Sequence, residues 1–126
     1  MNIQVTIPVS TQTIVDTFNT ALEVGSGYWL SKIDWGHIGD IAENYHERYE
    51  YLSNAIEDDD DQWKLHLTDD DGKRHVMNQQ KLWAGLHLMA KDYPRHFSDM
   101  INDNGDAITA DVFLQCVLLG DVVYDG

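Results

Sequence analysis

Glu23, Gly25, Gly27, Tyr28 and Trp29 crowd the residue types of a small binding pocket into one short stretch. A carboxylate accepts hydrogen bonds, glycine lets the backbone approach a guest closely, and two large rings offer stacking walls for a planar molecule. The same residues equally make a bend filled with core aromatics, because glycine ends helices and large rings mostly pack. Glu23 fits the bend less well. It falls in the last turn of a predicted helix, near the negative end of the helix dipole, where an acid needs a local partner.

Catalytic and metal chemistry find less support. Ser26 lies in Gly-Ser-Gly after a helix, not in the strand-to-helix G-x-S-x-G turn that exposes a nucleophile. The same glycines lack the strand and the G-x-G-x-x-G continuation of a dinucleotide fingerprint. Cys116 falls on the apolar stripe of the last predicted helix, where a thiol acts as a small buried hydrophobe. Residues 102–106 have the composition of a calcium loop, but that register puts Met100 where a carboxylate is required. His66 and His75 supply two imidazoles, short of the ligand set that zinc takes. The expectation is a protein that binds rather than catalyses, with no metal and no cofactor.

Charge narrows the partners. Twenty-two acids against eight bases give −14, which repels phosphate backbones and anionic membranes and attracts basic proteins. The acids concentrate in two runs: Glu57, Asp58, Asp59, Asp60 and Asp61, then Asp69, Asp70 and Asp71. These are the candidate protein-binding residues. A DNA-mimic inhibitor is a second alternative: it needs carboxylates in continuous rows, which Lys64, His66, Lys73 and His75 interrupt between the runs and which Asp99, Asp103, Asp106 and Asp111 would have to complete elsewhere.

The elements that must position these residues follow from periodicity. Residues 3–9 alternate as a half-buried strand, with Pro8 marking an edge. Ser10 or Thr11 caps a helix carrying Ile14, Val15, Phe18 and Leu22, which ends near Val24 with Gly25 in the left-handed conformation. Ile41, Tyr45, Tyr49, Leu52 and Ile56 mark a second helix. Residues 62–77 read as a β-hairpin closed by a two- or four-residue loop at Asp71-Gly72. That register puts Lys64, His66, His75 and Met77 on one face, and Trp63, Leu65, Leu67 and Val76 on the other. Asn78 caps a helix striped by Leu82, Leu86, Met89 and Tyr93, and Pro94 stops it or starts a short successor. Thr109 is the cap candidate for a last helix with Val112, Phe113, Cys116, Val117 and Leu119 inward, stopped by Gly120. Val122, Val123 and Tyr124 then read as a short strand.

The sum is a single α+β domain over residues 1–126. Its mostly antiparallel sheet combines the N-terminal strand, the central hairpin and a short C-terminal strand with about three to five helices. At 126 residues such a domain buries roughly two thirds of its unfolded surface, enough for a core. One cysteine, no evident leader peptide and no apolar run of bilayer length lead to the expectation of a soluble, cytoplasmic protein.

Residues 21–29 (ALEVGSGYW) and 110–126 (ADVFLQCVLLGDVVYDG) resemble a group of small uncharacterised bacteriophage and prophage proteins, in which a similar segment follows an opening strand and helix. A second glycine commonly follows the Glu in that group; Val24 stands here. The resemblance implies a bacterial host cell as the setting and marks Glu23, Gly25, Gly27, Tyr28, Trp29, Asp111 and Gln115 as candidate ligand-binding positions. The leading expectation is an accessory protein engaging or inhibiting a basic host or phage protein, with counter-defence as one such role. The alternative is a protein that sequesters a small molecule or nucleotide signal at Glu23, Tyr28 and Trp29, helped by Asp111 or Gln115.

Overall fold

The computed structural model describes residues 7–125. Ser10 opens α1 (Thr11–Thr20), its hydroxyl accepting the Thr13 N–H at 3.1 Å. The helix then widens into a π-turn (Ala21–Gly25), closed by the Ser26 N–H on the Ala21 carbonyl at 2.8 Å. Strand β1 (Leu30–Asp34), α2 (His37–Ile41) and α3 (Tyr45–Glu57) follow. The hairpin of β2 (Lys64–Asp69) and β3 (Arg74–Asn78) leads into α4 (Gln79–Asp92), α5 (Pro94–Ile101) and α6 (Ala107–Leu119).

The fold class is α+β, as expected, with six α-helices and an antiparallel sheet ordered β1-β2-β3 among the described residues. The membership of the sheet differs from the expectation. Its third strand is β1. Residues 122–124 form no strand, and most of the expected N-terminal strand lies outside the described residues. The expected second helix is real but broken, because Asn44 starts α3 afresh by accepting the Glu47 N–H at 2.9 Å.

Hairpin register also differs, and for a definite reason. Thr68 pairs with Arg74, and the Asp69 N–H bonds the Lys73 carbonyl, which leaves Asp70, Asp71 and Gly72 as a three-residue loop with Gly72 at φ 84°. That is the turn-plus-left-handed-glycine geometry of three-residue hairpins. One residue of slip exchanges the faces of β3. Met77 and His75 therefore share the core face with Leu65 and Leu67, while Val76 joins His66 outside. His66 and His75 lie on opposite faces and cannot share an ion.

Helix α6 runs through the centre. Residues 109–118 are buried without interruption, so the expected one-sided stripe is replaced by a helix enclosed all round. It packs on α1, the π-turn, α4, α5 and β3. Asp106, not Thr109, caps it, accepting the Thr109 N–H at 3.0 Å, and Gly120 ends it in the left-handed conformation. Asp59 and Asp103 take the same left-handed conformation after α3 and α5. There the Asp60 N–H reaches back to Ala55 O and the Asn104 N–H to Asp99 O, a bond pattern that closes helix ends. Part of the acidic run at 57–61 is thus a helix stop.

Two glycines exist for close approach. A Cβ on Gly85 would sit 2.5 Å from the Val117 Cα, at the α4–α6 crossing, and one on Gly25 would sit 2.6 Å from the Ala107 carbonyl oxygen. Gly25 is therefore a packing glycine and not, as expected, a left-handed one. Gly85→Ala and Gly25→Ala are each expected to destabilise the protein by roughly 1–3 kcal/mol. Gly27→Ala, with open space around it, should stay within about 0.5 kcal/mol. Urea denaturation midpoints distinguish these outcomes.

Candidate functional site

Four of the marked positions, Tyr28, Trp29, Asp111 and Gln115, come together, though around a group from the protein itself. Asp111, in the first half of α6, is buried. Its carboxylate accepts the Ser26 hydroxyl at 2.8 Å, the Tyr28 hydroxyl at 2.5 Å, the Trp29 indole Nε1–H at 2.8 Å and the Gln115 amide at 3.0 Å. One helical turn on, Gln115 holds the tail. Its Oε1 accepts the Val123 and Tyr124 N–H groups, both at 2.8 Å, while its Nε2 donates to the Tyr124 carbonyl at 3.0 Å. The Tyr124 ring stacks on Trp29, with centroids 5.2 Å apart and planes 11° from parallel. A side-chain amide thus does for residues 122–124 what the sequence reading assigned to a neighbouring strand. None of the cluster's buried side-chain polar atoms lacks a partner, as a low-dielectric interior requires.

Glu23 stands apart from that cluster. The π-turn directs it into a cavity of about 410 Å³ bounded by Leu22, Leu30, Ile33, Trp35, Tyr45 and Tyr49. None of Tyr28, Trp29, Asp111 or Gln115 lines it. Tyr49 stands edge-on to Trp35 at 5.2 Å, and burial, then the Glu23 charge, then Tyr45 push its phenol up to about 12. The Arg48 guanidinium stacks 4.7 Å from the Tyr45 ring.

The acidic positions divide similarly. Asp69 is buried and belongs to the hairpin turn: Oδ1 accepts the Asp71 and Lys73 N–H groups, and Oδ2 lies 2.9 Å from His75 Nε2. Asp70 and Asp71 are exposed at the tip. At the other end of β2, Glu57, Asp58, Asp59 and Asp61 are exposed and Asp60 is partly so. Beside them a groove of about 520 Å³ has Ile38, Ile41, Tyr51, Ala55 and Trp63 among its walls, with Asp34, Asp58 and Asp60 at its border. Lys64, His66 and Arg74 border it too, Arg74 lying 3.6 Å from Asp34. Cys116 is buried, and burial, then Asp121 and Asp92, push its thiol up to about 12, so it stays protonated. Among the described residues no three metal-ligating side chains gather, and no helix is long and apolar enough to cross a membrane.

Set against protein-family models, curated proteins and solved structures, the chain matches none.

Nothing in the local sequence marks Tyr124, Trp35, Tyr45 or Tyr49 as site residues, and Ser26, unsuited to be a nucleophile, serves as a hydrogen-bond donor instead. Asp111 and Gln115 carry a usable signal: two polar residues four apart in the apolar middle of a helix must find buried partners.

Two outcomes follow. Asp111→Ala strands several donors at once and is expected to cost roughly 2–4 kcal/mol, with faster hydrogen exchange at the Val123 and Tyr124 amides; unchanged exchange there would contradict the clamp. The Asp69 carboxyl is held below the ordinary carboxylate range by the His75 hydrogen bond first and the Lys73 N–H second. A depressed folded pKa means that this stabilisation is full above the unfolded value of about 4 and fades as pH falls through the folded value. Asp69→Asn should therefore lower the urea midpoint at neutral pH and converge with the parent protein in acid.

Proposed function

We propose that this chain is a binding module that captures a basic protein partner through its exposed acids and the adjoining apolar groove. The observation that carries this reading is the lack of counter-charge around residues 57–61. No lysine or arginine comes within ion-pair distance of them among the described residues. Their recorded contacts are with neutral groups, including the Gln62 N–H on Asp60 and the Gln62 and Gln79 amides on Asp61 and Asp59.

Desolvating such carboxylates against a hydrophobic partner would be costly, whereas lysines and arginines of a partner supply the missing charge. The groove beside them offers Ile41 and Tyr51, both more than a third exposed, as apolar anchors. A basic amphipathic segment satisfies both features: its cations meet Asp58, Asp60 and Asp61, and its apolar side chains enter the groove. Charge speeds the encounter and the anchors slow release.

A mimic of DNA is supported less well. On the outer face of the hairpin, Lys64, His66 and Arg74 separate the two acidic ends, so the carboxylates do not continue across the sheet. The likeness of residues 21–29 and 110–126 to phage and prophage proteins favours an accessory role in a bacterial cell. Proteins that handle nucleic acid carry the basic surfaces this reading requires, so inhibition of such a machine, in counter-defence or elsewhere, is the role proposed.

The test is titration of a purified partner, recovered by affinity capture, at low and high salt. Affinity should fall at least about tenfold between 50 and 500 mM salt. It should also fall in Asp58→Asn/Asp60→Asn/Asp61→Asn, and separately in Tyr51→Ala. Affinity indifferent to salt and to the triple substitution would overturn the reading.

A further inference from the structure

The cavity holding Glu23 is a separate feature, on the side of β1 that pairs with no other strand among the described residues. Three features mark its wall. Glu23 has no hydrogen-bond or ion-pair partner among the described residues, although Lys32 borders the same cavity. Trp35 is 5% exposed, yet its Nε1–H is buried without an acceptor. The π-turn, an interruption that often marks functional positions, is what places Leu22 and Glu23 on this wall.

We propose that this cavity binds a small organic cation carrying a neighbouring hydrogen-bond acceptor, held between Glu23 and the rings of Trp35, Tyr45 and Tyr49. Aromatic faces attract cations through their quadrupole, and the attraction grows when the site is partly desolvated. The molecule shows the preference internally, since the Arg48 guanidinium stacks on Tyr45 and lies 6.0 Å from the Trp35 ring centroid. Glu23 supplies the counter-charge, and the net charge of −14 raises the local concentration of cations and lowers that of anions.

The guest's acceptor, a hydroxyl or carbonyl, meets the Tyr49 hydroxyl, which keeps its proton at every physiological pH. The Trp35 Nε1–H is enclosed within the packing and senses a guest only through the ring that lines the cavity. Leu22, Leu30 and Ile33 complete an apolar wall for the guest's methyl or methylene groups. About 410 Å³ suits a small molecule and not a folded segment. Lys32 has an exposed side chain at the border and meets solvent when the guest is a simple cation.

Choline and 3,3-dimethylbutan-1-ol make the test, having the same shape and hydroxyl with and without the charge. Each is titrated into the intact protein while the Trp35 indole N–H resonance is followed. Choline is expected to shift that resonance saturably and to bind at least about tenfold more tightly than the neutral alcohol. Glu23→Gln, at an exposed position, should remove most of that difference. Asp58→Asn/Asp60→Asn should leave it unchanged, which separates this site from general attraction of cations to an acidic protein and from the partner surface. Equal binding of the two probes, no response at Trp35, or an equal loss in both variants would overturn the proposal.

Discussion

The buried carboxylate of Asp111 is the interaction around which this fold is arranged. A charged group in the middle of a central helix is tolerable only when its acceptor positions are filled. Here the donors come from the bend after the π-turn and from Gln115. Gln115 in turn fastens the C-terminal tail by its backbone. The bend after α1, the central helix and residues 123–124 are thereby held at one point, and Gly25 completes the join by letting the π-turn lie against the first residues of α6.

That arrangement explains why one stretch of sequence can resemble a pocket and serve as a lock. Tyr28 and Trp29 present their polar ends to Asp111 and not to a guest, and Trp29 covers its remaining face with Tyr124. The rings that line a cavity with Glu23 are others, Trp35 just after β1 and Tyr45 and Tyr49 on α3.

Much of the scaffold was legible in the sequence, and the misses have physical causes. Helix limits at Ser10, Asn78, Pro94 and Gly120 are written in capping chemistry, which acts locally and so reads locally. The hairpin was legible as a hairpin, but its loop length was not, since Asp-Gly fits several loops and the choice rests on Asp69 turning inward to His75 and the turn amides. Residues 122–124 have strand-like side chains, yet their partner is an amide eight residues earlier, a pairing that periodicity does not encode. The cavity at Glu23 was half legible. Its acid stood out as ill-placed on a helix end, whereas its rings come from segments brought close only by the fold.

Charge completes the picture. Among the described residues Asp34 alone has a lysine or arginine within ion-pair distance, while Asp69 is held by the amides of its own turn and by His75. The remainder set a field that favours basic and cationic partners at both candidate surfaces.

The central claim, that the Asp111 cluster is a closed structural lock, is tested most directly by hydrogen exchange at the Trp29 indole Nε1–H. The account predicts exchange only through global unfolding, with the same free energy as the slowest α6 amides. Exchange by local opening, several orders of magnitude faster than those amides, would contradict it.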